Sequence, residues 1–141
     1  MEKEENEKMK ALARYGKEFG GYRMIDVPKP TCGPEDIIIE IKAAAICGAD
    51  MKHYKVDNGS DEFNSIRGHE FAGEIVEVGE KVTDWKVGQR VVSDNSAHVC
   101  GVCPACEQGD FLCCESKVNL GLDNNTWGGG FSKYCKFRER S

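Results

Sequence analysis

Apolar and polar positions along this chain fall into short runs cut by glycine and proline, not into helical stripes. Met9-Lys10-Ala11-Leu12-Ala13-Arg14-Tyr15 reads as a first strand that turns at Gly16. Gly20-Gly21 opens a second strand, Tyr22 to Val27, which Pro28 and Pro30 end. Gly33-Pro34 makes a turn, and after Asp36 the β-branched run Ile37-Ile38-Ile39-Glu40-Ile41-Lys42-Ala43 reads as a strand with a buried face. Asp50 to Lys55 predicts one helical turn after Cys47. Phe71 to Val78, closed by Gly79, is a further strand, and so are Val87 to Val92 and Gly129 to Phe137. Cys100 to Glu115 has no periodicity at all. Short strands with this punctuation predict a mainly β fold, a barrel or a sandwich. There are no internal repeats.

With 141 residues, 40% of them apolar, the chain holds one domain with a single modest core. The net charge of −5 favours solubility and leaves no basic footprint for nucleic acid. No apolar run approaches the roughly 20 residues needed to cross a membrane. Residues 1–8 read as a charged leader without the apolar stretch of a signal peptide, and Met9 as the start of a folded domain over 9–141. The expected location is cytoplasmic. Eight cysteines in a reducing compartment then point to metal ligation more than to disulfides.

Cys100, Cys103, Cys106 and Cys114 follow the pattern C-x2-C-x2-C-x7-C. Four thiolates make a tetrahedral zinc site, and Gly101, Pro104 and Gly109 suit the tight turns that it requires. A segment without apolar periodicity has no core of its own, so the metal replaces one. An iron–sulfur cluster and a disulfide pair are the competing readings, and a redox C-x-x-C lacks its βαβ setting here. Cys113, beside Cys114, competes as the fourth ligand.

A second constellation is Cys47, at the end of Ala43-Ala44-Ala45-Ile46, with His69 and Glu70 at the start of a later strand. A thiol, an imidazole and a carboxylate form a mixed set of the kind that catalytic zinc uses. The residues alone leave open a buried core cysteine and a surface histidine that never meet. Neighbours on a strand point to opposite faces, so His69 and Glu70 reach one ion only where the strand is irregular. Asp50 is either the acceptor that orients the histidine or a helix cap.

Gly68-His69-Glu70-x-x-Gly73-x5-Gly79-x-x-Val82 resembles the signature of zinc-dependent medium-chain alcohol dehydrogenases. Cys47-Gly48-Ala49-Asp50 is similar to that family's C-G-S/T-D segment, and Gly129-Gly130-Phe131 up to Tyr134 to its G-G-F-x-E-Y strand. The cysteine lobe has the family's spacing, which selects Cys114 over Cys113. These resemblances run in order from about residue 9 to 138. They imply a GroES-like, partly open β-barrel with a zinc-binding lobe and short helices. They also imply a catalytic zinc on Cys47, His69 and Glu70, with Asp50 beside it, and a structural zinc on the lobe. In that family a zinc-bound alcohol loses its proton while a hydride passes to NAD or NADP. Gly48 and the Cys–His–Glu set resemble the polyol and threonine dehydrogenase branch, which implies a small secondary alcohol with a neighbouring polar group.

The sequence also departs from the family. The family carries a second, doubly wound domain with a G-x-G-x-x-G turn for the dinucleotide. Gly128-Gly129-Gly130 precedes a strand and does not fit that turn. The chain thus reads as the N-terminal catalytic domain alone, inactive without its nucleotide-binding half and self-associating into a homo-oligomer through the face that half would cover. Ala49 stands where the family has the hydroxyl that begins its proton relay. His53 falls one residue late for a relay histidine and reads as a surface residue, and His98 has no family role. Ala49 and the absent half favour an alternative, a non-catalytic zinc-stabilised interaction module or a truncated form of an enzyme.

Overall fold

A computed structural model describes residues 7–15, 20–55, 63–122 and 128–138. Strand β1 (Lys8–Tyr15) pairs antiparallel with β2 (Tyr22–Pro28) on one side and with β4 (Phe63–Ile66) on the other. The second sheet has the order β6-β5-β3-β9, built from β3 (Asp36–Ala45), β5 (Glu70–Val78), β6 (Arg90–Val92) and β9 (Tyr134–Arg138). A two-stranded ribbon of β7 (Ser96–His98) and β8 (Val118–Asn119) completes the strands. Residues 131–133 tie the sheets together. The Leu12 amide donates to the Phe131 carbonyl at 2.8 Å, and the Ile41 amide to that of Lys133 at 2.9 Å. The sheets wrap one core without closing, as expected of a partly open barrel.

That core is assembled from Ile37, Ile39, Phe71, Ile75, Leu120 and Cys135. β3 leaves it part-way along: residues 36–39 are buried, whereas 42–45 are exposed. A register shift between Ile41 and Ala43 marks the change. The strand is therefore anchored in the core at one end and carries the chain out to the site at the other.

Several expected boundaries move. The helix after Cys47, α1 (Gly48–Lys55), has two turns and begins at once, because Cys47 and Asp50 cap it. Val87 and Gly88 form a turn, and only Arg90–Val92 are strand. Gly128 to Lys133 precede β9 as irregular chain, held by a bridge between Ser132 and Ala11. The unperiodic Cys100–Glu115 stretch holds the short helix α2 (Pro104–Glu107) and a 3-10 turn (Phe111–Cys113). Lys8, assigned on sequence to the leader, pairs with Pro28, whereas residues 1–6 and the turn at Gly16 lie outside the described residues. No helix among the described residues is long and apolar enough to cross a membrane.

Candidate functional site

The β3–β5 ladder sets the first ligand group. Its last pair is Ala45 opposite Glu70, so chain leaving β3 and chain entering β5 meet at one edge. Cys47 lies two residues beyond Ala45, and His69 lies immediately before β5. Ligand atoms of Cys47, His69 and Glu70 lie within 4.8 Å of one another. His69 escapes strand alternation because Gly68, at φ +92°, bends the chain just before it. That bend is packed tight: a side chain on Gly121 (φ +65°) would stand 2.3 Å from the Gly68 carbonyl oxygen. The Gly68 carbonyl in turn accepts from the Gly130 amide at 2.8 Å. The glycines before β9 thus serve a close crossing of backbones behind His69.

Burial grades across the trio. His69 is buried, Cys47 half-buried and Glu70 exposed. Cys47 caps α1: its sulfur accepts from the Ala49 amide at 3.5 Å. Asp50, 4% exposed, reaches back through Oδ2 to the Cys47 amide at 2.9 Å, the return arm of a capping box. Its other oxygen, Oδ1, stands 3.8 Å from His69 Nδ1. Of the two sequence readings of Asp50, the cap is made outright, and the approach to histidine is too long for a hydrogen bond.

Beneath this edge lies a buried polar cluster that the sequence reading missed. Arg14 and Arg67 are 1% and 5% exposed. Arg67 donates to the Gly121 and Leu122 carbonyls at 3.3 and 3.4 Å, bracing the glycine crossing. Arg14 lies out of phase with the inward residues Met9, Ala11 and Ala13, so periodicity gives no signal for its burial. Burial pushes the Tyr22 hydroxyl pKa up, against the pull of Arg67 and Arg14. Burial, then Arg67, pushes the half-buried His53 imidazole down and favours its neutral form. His98 ends β7.

The cysteine lobe is an excursion between β7 and β8, which pair His98 with Val118 at its base. Cys100, Cys103, Cys106 and Cys114 bring their sulfurs within 4.8 Å of one another, and Cys113 is exposed outside the group. Cys114 Sγ lies 3.6 Å from Cys100 Sγ, and Cys100 Sγ lies 4.0 Å from Cys106 Sγ. A zinc ion with Zn–S bonds of about 2.3 Å needs tetrahedral edges of about 3.8 Å. All eight cysteines are free thiols in this structure.

Backbone amides are aimed at the lobe's sulfurs. Amides of Cys106 and Glu115 draw the Cys103 thiol down to about 6, and the Cys100 amide, 3.3 Å from Cys114 Sγ, lowers Cys114. Burial, then the neighbouring Cys103, pushes Cys106 up to about 12. Four crowded thiols cannot all ionise unaided, and a divalent cation at their centre reverses that. Around these sulfurs the lobe's buried cluster adds only Val99. Donor chemistry, spacing and amide orientation all fit zinc.

Known proteins share this sequence pattern and fold. Residues 33–141 match the model of the alcohol dehydrogenase GroES-like domain. The chain is 87% identical over 127 residues to YdjL of Escherichia coli K12, an uncharacterized zinc-type alcohol dehydrogenase-like protein, covering 90% of this chain and 36% of that one. It is 37% identical to the sorbitol dehydrogenase of Halalkalibacterium halodurans, over 94% of this chain and 38% of that one. The crystal structure of an E. coli CFT073 alcohol dehydrogenase, rspB, complexed with NADH aligns with a TM-score of 0.79 at 31% identity, over 93% of this chain and 36% of that one. The chain thus spans little more than a third of the length of these relatives. It belongs to the alcohol dehydrogenase GroES-like domain family, among the zinc-type alcohol dehydrogenases.

Proposed function

We propose that this chain is the alcohol-binding catalytic domain of a zinc-dependent, nicotinamide-linked dehydrogenase acting on a secondary alcohol of the polyol class. The observation that carries the reading is the convergence of Cys47, His69 and Glu70 at one sheet edge, within 4.8 Å and open on the Glu70 side. The likeness to sorbitol dehydrogenase supports the substrate class. Zinc held there supplies Lewis-acid polarisation of an alcohol oxygen, and NAD or NADP, bound elsewhere in the protein, accepts the hydride.

This chain's own residues prepare that chemistry. Cys47 and Glu70 would supply anionic ligands, and His69 a neutral nitrogen, with its Nδ1 3.8 Å from Asp50 Oδ1. Asp50 fixes Cys47 through the helix cap. The exposed run Ala43-Ala44-Ala45-Ile46 beside Cys47 offers an apolar wall for the carbon skeleton. Ala49 has no group that holds a proton, so water or another residue at the open rim would have to take the alcohol proton. The lobe, with its own zinc on Cys100, Cys103, Cys106 and Cys114, has a structural role.

Two measurements test this. Elemental analysis together with native mass should give two zinc ions per chain, falling to one in Cys47→Ser. The full-length protein should form NADH or NADPH from polyols, and Cys47→Ser should abolish that turnover while the lobe ion remains. Undiminished turnover in Cys47→Ser would remove the proposed catalytic role.

A further inference from the structure

The helix that begins at Cys47 is fixed at its ends and not by its face. Of the eight residues of α1, only Asp50 is buried. A two-turn helix with so little burial is marginal by itself, so its placement depends on what holds its termini. At the N-terminus Asp50 accepts from the Cys47 amide. At the C-terminus, where carbonyls lack partners within the helix, two groups arrive from outside. The Gly20 amide donates to the Tyr54 carbonyl at 3.0 Å, and the Arg14 guanidinium donates to the His53 carbonyl.

Arg14 is the stiffer of these two holds. It sits within β1, an inner strand of its sheet, and is 1% exposed. Its guanidinium carbon stands 5.7 Å from the Tyr22 ring centre, and Tyr22 packs on Tyr54 of the helix with ring centres 5.8 Å apart. A buried cation is costly unless it is held by acceptors, and the carbonyl end of a helix is a place where positive charge is stabilised. Cys47 and His53 lie about 9 Å apart along one continuous helix axis. Releasing the far end therefore lets the near end swing.

We infer that Arg14 is a positioning residue for the Cys47–His69–Glu70 centre, holding the cysteine in ligand range through the His53 carbonyl although it touches none of the ligands. This rests on reading that centre as a zinc site. The lobe is reached through different chain and serves as an internal control.

The test is a metal competition with a chromophoric chelator on the purified full-length protein, using zinc and then cobalt, whose thiolate charge-transfer bands report each site. Wild type should take up two ions. Arg14→Met and Arg14→Gln should lose about tenfold or more in affinity at the Cys47 centre, the scale on which residues supporting a ligand act. Lobe affinity should stay unchanged, and Arg14→Lys should restore most of the loss. If either cation-free variant folds and binds both ions as wild type does, the inference is overturned. Loss at both sites in parallel overturns it too, since that marks general destabilisation. Should Arg14→Met fail to fold, Arg14→Gln carries the measurement. One ion only in wild type, retained in Cys47→Ser, removes the reading of the centre itself and the inference with it, an outcome distinct from the others.

Discussion

Asp50 Oδ1 stands 3.8 Å from His69 Nδ1, and neither buried atom has a hydrogen-bond partner among the described residues. A histidine that ligates through one nitrogen carries its proton on the other, and that proton would face Asp50 Oδ1 here. In Asp50→Asn the amide oxygen can still cap the Cys47 amide, but the charged acceptor is gone. Zinc at the Cys47 centre should weaken about 10- to 100-fold with the lobe ion unaffected, read by chelator competition. Unchanged affinity would leave Asp50 a helix cap and nothing more.

The lobe predicts a contrast between adjacent residues. Cys114 is buried among the four sulfurs, whereas Cys113 is exposed and donates toward Asp110. Cys114→Ala should therefore remove one zinc per chain, and Cys113→Ala should remove none. Stripping the ion should open residues 99–117 selectively, seen as lost amide protection there. The loss should be large, because metal binding of this kind contributes on the order of 10 kcal/mol to folding.

Gly121→Ala tests the backbone crossing behind His69. The added methyl would stand 2.3 Å from the Gly68 carbonyl oxygen, at φ +65°. Both the clash and the dihedral oppose it. We expect about 3 kcal/mol of destabilisation in denaturant melts, together with weaker metal binding at the Cys47 centre.

Cys135 predicts an alkaline limit. It is fully buried in the core, and burial pushes its thiol from the ordinary 9.0 up to about 12. A raised native value means that stability is intact below pH 9.0 and is lost as pH climbs toward 12, because the unfolded thiol ionises first. That loss reaches about 4 kcal/mol at the upper end. In Cys135→Ala the stability profile should be flatter across this window, although its starting value is lower for want of the sulfur. An equally steep fall in that variant would place the limit elsewhere.

What the sequence disclosed follows from how each element earns its stability. β3 and β5 are legible because isoleucines and valines mark a buried face over many residues. β4, β7 and β8 span four, three and two residues, too few for a period to register, and they exist only because a neighbouring strand pairs with them. Val87 read as strand, yet it is 64% exposed in a turn, since an apolar residue at a loop tip carries no local mark of its solvation. The lobe was readable because four cysteines at such spacing have few other uses, whereas Cys47, His69 and Glu70 were joined only by the family resemblance, the residues alone leaving them apart. Arg14 was not, since its partner is a main-chain carbonyl, His53, 39 residues away.

The ladder that ends in Ala45 and Glu70 behaves like a vernier scale. A slip of one residue between β3 and β5 would displace Cys47 by about 3.3 Å against His69 and turn its side chain to the other face. No tetrahedral site could then close. Occupancy of that centre is accordingly a gauge of strand alignment: during refolding, the colour of bound cobalt would date the moment at which these two strands find their correct partners.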